Sequence, residues 1–192
     1  MRLDGKRIAE LVGPGFEDLE FWVPYMRLQE EGAQVTVVGL KAGETYPSKS
    51  GGLTATADVA ADQARAETFD AVLVPGGWAP DKIRRYPAVL ALVRGAYEQG
   101  KIVGAICHAG LVLISAGIVR GHKATGSLGI RDDLVNAGAT WAVRPGGPGR
   151  RPERGGRARV PRRKPGLGPG GGRHPCLLPR TRGGPNGTVV LQ

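Results

Sequence analysis

An apolar run from Lys101 to Ile106 stops at the pair Cys107-His108 and passes directly into a helix-like stretch from Gly110 to Ala116. That order reads as strand, tight turn, helix, and it constrains the fold more than any other segment. A side chain on such a turn is pushed out at the carboxyl edge of a parallel sheet. The adjoining helix N-terminus favours an anion there, such as the thiolate that makes a cysteine reactive. A neighbouring histidine can hold or relay the proton. The opposing reading is a small buried hydrophobe, the common fate of a lone cysteine. Taken alone, this segment leaves both readings open.

The rest of the first 141 residues supports the same architecture. Strands are expected over Lys6 to Val12, Gln34 to Gly39 and Ala71 to Val74, while a short segment near Lys123 to Gly126 is given no element type. Helices are expected from about Glu17 to Glu31, closed by Gly32, from Pro87 to Gln99, closed by Gly100, and from Ile130 to Asn136. Gly43 to Asp58 is rich in Gly, Ser and Thr, as loops and short β pieces are. Strands separated by helix-length segments imply an α/β fold whose parallel sheet is covered on both faces. Glu10 breaks the pattern, because a carboxylate inside an apolar strand is costly unless it meets a polar cluster.

Net charge alone suggests a nucleic-acid binder, at +10 over 192 residues, but its placement argues otherwise. Residues 1–141 hold 15 Lys+Arg against 16 Asp+Glu; residues 142–192 hold 12 against the single Glu153. All the basic excess lies in the tail. There, 13 Gly and 9 Pro occupy 22 of 51 positions, with no aromatic residue, so the tail reads as irregular or disordered. Such a tail can contact phosphates non-specifically, yet it lacks the aromatics that single-strand binders stack on. Arg, Gly and Pro in this excess, beginning abruptly after Trp141, are also what a GC-rich coding sequence yields out of frame. The division expected is therefore a domain over 1–141, incomplete at its C-terminal end, and a basic tail over 142–192.

Cys107 and Cys176 do not make a disulfide framework. With no apolar leader and no run near the roughly 18 apolar residues of a membrane span, a reducing cytoplasm is expected and no membrane partner. His174 and Cys176 lack a second pair at zinc spacing, so neither metal nor cofactor is assigned. His122 reads as an exposed loop residue.

Several blocks then converge. Gly15-Phe16-Glu17-Asp18-Leu19-Glu20, Val74-Pro75-Gly76-Gly77-Trp78-Ala79-Pro80-Asp81 and Ala105-Ile106-Cys107-His108 resemble signature blocks of the PfpI/ThiJ superfamily, as do Leu113 to Gly117 and Gly129 to Ala139. The resemblance runs from about residue 6 to Trp141 and is nearest to the PfpI-type intracellular proteases, stress proteins and deglycases. It implies a flavodoxin-like α/β sandwich with Cys107 as nucleophile and His108 as its partner. It also implies that Glu20 hydrogen-bonds the sulfur, and that Asp81, where relatives usually carry Glu, orients the histidine from a neighbouring subunit. Gly76, Gly77 and the amide of His108 would supply an oxyanion site, though a tight turn that merely needs glycine is compatible with the same residues.

The function expected on these grounds is that of a cytoplasmic cysteine enzyme acting on a small aldehyde or a glycated adduct, in glyoxalase- or deglycase-like chemistry. A peptidase acting on peptide substrates is the alternative, and a non-catalytic sensor that oxidises at Cys107 is another. The resemblance further implies a homo-oligomer, dimer or hexamer. Nucleic acid would be contacted only through the basic tail. Relatives add strand pairing and a final helix after the position of Trp141, so an apolar sheet face is expected to lie uncovered here.

Overall fold

The computed structural model describes residues 2–142 and the backbone of residues 188–191. Within them, strands and helices alternate in the expected manner: β1 (Arg7–Leu11), α1 (Asp18–Glu30), β2 (Gln34–Gly39), the hairpin β3 (Thr45–Pro47) and β4 (Thr54–Thr56), and β5 (Val59–Ala60). Next come β6 (Ala71–Val74), α2 (Ala79–Ile83), α3 (Pro87–Glu98), β7 (Ile102–Ala105), α4 (Gly110–Ala116), β8 (Lys123–Ala124), α5 (Arg131–Asn136), β9 (Thr140–Trp141) and β10 (Thr188–Leu191). The main sheet runs β10-β7-β6-β1-β2-β5, and every pairing in it is parallel.

Alternation along the strands sorts the core into two layers. Ala9, Leu11, Val72, Val74, Val103 and Ala105 pack with Leu92, Val93, Val112 and Leu113 of α3 and α4. On the opposite side, Ile8 and Ala71 pack against Ala33 and Leu28 at the end of α1, while Val12 and Val37 meet Phe16 and Phe21. α1 begins where the Glu17 carboxylate accepts the Glu20 N–H at 2.9 Å. It ends at Gly32, whose φ of 96° lets the N–H groups of Gly32 and Ala33 turn back to the carbonyls of Gln29 and Leu28. Pro24 inside α1 removes the amide donor that would have bonded the Glu20 carbonyl.

The chain therefore leaves β1 toward one edge of the sheet and returns through β6 on the other side of β1. In open α/β sheets, ligand sites form at such a reversal, outside the carboxyl ends of the strands. The loops after β1, β6 and β7 all emerge there.

Two expectations are revised, the open question at Glu10 is answered, and one element is added. The tail is not irregular throughout: Thr188–Leu191 pair with Ile102–Ala105 as a parallel strand, and the other expectations for residues 143–187 lie outside the described residues. A strand of four residues needs no periodicity of its own when the edge of β7 supplies its hydrogen bonds. His122 is half-buried rather than exposed, with its Nε2 2.8 Å from the Tyr97 hydroxyl and its ring edge-on to the tyrosine. Glu10 meets no polar cluster: it is 0 % exposed, and neither carboxyl oxygen has a partner among the described residues. Residues 79–83, unassigned from sequence, form the short helix α2, started by Pro80 in its first turn. On the α1 side of β6 and β7, Leu73, Gly104 and Ile106 line a shallow apolar hollow with Glu20 and Pro24, and Ile102 is 50 % exposed.

Candidate active site

Cys107 is the only non-glycine among the described residues with a positive φ, at 59°. For a residue with a Cβ this left-handed conformation costs roughly 1–2 kcal/mol, so the surroundings must enforce it. Ile106 is fully extended, and Ala109 closes a tight turn by donating its N–H to the Ile106 carbonyl at 2.9 Å. The Cys107 carbonyl accepts the Ser127 N–H at 3.1 Å, and a Cβ on Gly126 would come within 2.8 Å of that same oxygen. The Gly126-Ser127 loop thus clamps the elbow from outside. The outcome is a half-buried sulfur at the carboxyl end of β7, 3.2 Å from His108 Nδ1.

Glu20 reaches the same point from the first turn of α1. Its Oε2 accepts the Gly76 N–H at 2.8 Å, and a Cβ on Gly76 would collide with that oxygen and lie 2.7 Å from the Cys107 Cβ. Only glycine lets the carboxyl and the sulfur approach each other across this turn. Gly77 has φ of 80°, and a Cβ there would sit 2.5 Å from the Gly15 carbonyl oxygen. Both glycines are demanded by packing whatever else they do.

The electrostatics differ from the simple picture of a thiolate at a helix end. Burial pushes the Cys107 thiol up, and the charge of Glu20 pushes it further, while the N–H groups of Gly77 and His108 pull it down. Burial likewise raises the Glu20 carboxyl, against the Gly76 N–H and the Cys107 contact. α4, which follows the elbow, has only seven residues. Two acids in contact influence each other's titration. When Glu20 carries a proton, the carboxyl no longer repels a thiolate and its O–H can donate to the sulfur.

Of the residues singled out from sequence, the fold brings together Cys107, His108, Glu20, Gly76 and Gly77. The Gly76 amide is committed to Glu20, which leaves the Gly77 and His108 amides as the donors facing the sulfur. Asp81 stands apart on α2, exposed, with its carboxylate bound to the Arg85 guanidinium at 2.5 Å. Among the described residues, the His108 ring hydrogen-bonds to the sulfur alone.

The sequence model of the DJ-1/PfpI family matches residues 6–147. This chain belongs to the DJ-1/PfpI family. Among its relatives, the deglycase PfpI of Pyrococcus furiosus is 39% identical over 138 residues, which are 72% of this chain and 82% of that protein. General stress protein 18 of Bacillus subtilis is 38% identical over 135 residues, 70% of this chain and 78% of the relative. A crystal structure of a two-domain Anabaena variabilis protein with a DJ-1/ThiJ/PfpI-like domain superposes with a TM-score of 0.70 at 44% identity; the match covers 71% of this chain and 39% of that one. The DJ-1/PfpI membership accounts for the order of strands and for the elbow after β7.

Sequence reasoning missed the Gly126-Ser127 clamp, because it meets Cys107 only through the return of the chain nineteen to twenty positions later. It also missed Trp78, which is 57 % exposed beside the site. A lone exposed aromatic within an otherwise assigned block was the available signal.

Proposed function

We propose that this DJ-1/PfpI chain is a cytoplasmic, cysteine-dependent stress enzyme acting on reactive aldehydes and their glycated adducts. The observation that carries the reading is the left-handed Cys107, with His108 Nδ1 3.2 Å from its sulfur and Glu20 held against it through Gly76. The thiolate adds to the aldehyde carbon, and the Gly77 and His108 amides face the oxygen that becomes negative. His108 delivers the proton that completes the addition. With an α-oxoaldehyde, the hydrogen on the sulfur-bound carbon then leaves as a proton and returns to the neighbouring carbon. The first carbon is oxidised to a thioester, the second reduced to an alcohol, and water releases a hydroxy acid with the free thiol. No external oxidant or reductant takes part.

Asp81 would orient His108 from a neighbouring subunit of a homo-oligomer. No described helix is long and apolar enough to cross a membrane, and relatives of this chain carry the names deglycase and general stress protein. The test is loss of methylglyoxal and formation of lactate by the purified chain and by its Cys107→Ser variant. Turnover that disappears with Cys107 supports the proposal. A folded protein that leaves methylglyoxal untouched but cleaves a casein substrate through Cys107 would replace it with the peptidase reading. Loss of both activities, with oxidation of Cys107 to sulfinate changing its association state, would replace it with the sensor reading.

A further inference from the structure

Three loops are stitched together at the mouth of the elbow. Gly15 N–H donates to the Pro47 carbonyl at 2.8 Å, Lys49 N–H to the Phe16 carbonyl at 2.7 Å, and Trp78 N–H to the Gly15 carbonyl at 2.7 Å. On this frame sit an exposed ring and two ammonium groups. The Trp78 side chain packs on Gly15, where a Cβ would lie 3.1 Å from Cε3. The Lys49 Nζ stands 5.9 Å from the centre of a Trp78 ring, and the Lys82 Nζ would be 3.7 Å from the same Gly15 Cβ. A Cβ on Gly77 would lie 2.5 Å from the Gly15 carbonyl oxygen, so the cluster adjoins the turn that faces the sulfur.

The acidic groups nearby are held by partners other than the two lysines. Asp18 is held by the Ser50 hydroxyl at 2.7 Å, Glu17 caps α1, and Asp81 pairs with Arg85. Among the described residues neither Lys49 nor Lys82 lies in an ion pair. Two cations beside an exposed aromatic face form a recognition surface for a flat or extended group that ends in an anion.

We infer that Lys49, Lys82 and Trp78 make this site selective for carbonyl substrates that carry a carboxylate or phosphate at the end remote from the reacting carbon. The inference rests on the aldehyde reading above and specifies its substrate class. Each ammonium at about 6 Å in water favours an anion by a factor of roughly three, so the pair gives about tenfold.

The matched probes are 4-carboxyphenylglyoxal and its neutral isostere 4-carbamoylphenylglyoxal. The ratio of their kcat/KM values should favour the carboxylate about tenfold at low ionic strength and shrink as salt is added. Lys49→Met with Lys82→Met should bring the ratio near one, whereas Lys49→Arg with Lys82→Arg should keep it. A wild-type ratio near one, or a preference that survives in the double Met variant, overturns the inference while leaving the aldehyde chemistry intact. Calorimetric binding of benzoate against benzamide reads the same selectivity without turnover. It therefore decides the matter even if neither glyoxal is consumed: preference for benzoate lost in the double Met variant supports the inference, and equal binding refutes it.

Discussion

Glu10 offers a clean perturbation of the fold because its environment contradicts its chemistry. It lies on β1, an interior strand flanked by β2 and β6, opposite Val37 and Leu73. Its carboxyl has no partner among the described residues, and burial pushes it from 4.5 to about 8. Below pH 4.5 the group is protonated in folded and unfolded chains alike and carries no electrostatic cost. Between pH 4.5 and 8 the folded chain keeps a proton that the unfolded chain has released. Stability then falls with rising pH by about 1.4 kcal/mol per unit, since the native state binds more protons. By pH 7 roughly 3 kcal/mol is lost, and above pH 8 the loss levels off near roughly 5 kcal/mol.

The informative comparison is with Glu10→Gln, which is nearly isosteric and does not titrate. Urea unfolding of both proteins at pH 5, 6, 7 and 8 isolates the effect, because every other titrating group contributes equally to the two. The variant should gain on the wild type by about 3 kcal/mol between pH 5 and 8. Glu10→Val, which suits the flanking Ile8, Val12, Val37 and Leu73, should be more stable than the wild type at pH 7. A stability difference between wild type and Glu10→Gln that stays constant from pH 5 to 8 would refute the reasoning, since it would mean that the buried carboxyl has found a partner or water.

If the contact between Cys107 and Glu20 couples their titrations, the thiolate absorbance at about 240 nm should rise in two steps with pH, and in a single step in Glu20→Gln; one step in both proteins would show that the groups do not couple. If Asp81 works across a subunit boundary, inactive Asp81→Asn and inactive Cys107→Ser should recover turnover when unfolded together and reassembled, because a mixed oligomer contains intact composite sites. Recovery absent from demonstrably mixed oligomers counts against that role. Sequencing of the gene across the Trp141 region should reveal a shifted reading frame, with a frame-corrected chain gaining a more cooperative melt; an uninterrupted frame shared by a close relative removes that explanation of the basic tail.

Most strands and helices of the first 141 residues were legible because their apolar periods are strong and their ends are marked. Gly32 and Gly100 close helices, and the runs 34–39 and 71–74 have the observed bounds. The elbow was legible for a related reason: a strand that ends on Cys107 and resumes as helix at Gly110 has one geometry open to it. Hidden from the sequence is whatever depends on partners distant along the chain. Whether Glu10 faces polar groups is decided by Val37 and Leu73, twenty-seven and sixty-three residues away. The strand at Thr188–Leu191 exists through the edge of β7, and no local pattern announces an edge. The sulfur's proton affinity escapes for the same reason. A helix end is visible in sequence, whereas the burial of the sulfur and a carboxylate brought from α1, which both push the thiol up, are consequences of the assembled fold. At Cys107, sequence names the candidate residues, and tertiary packing sets the surroundings that shift their proton affinities.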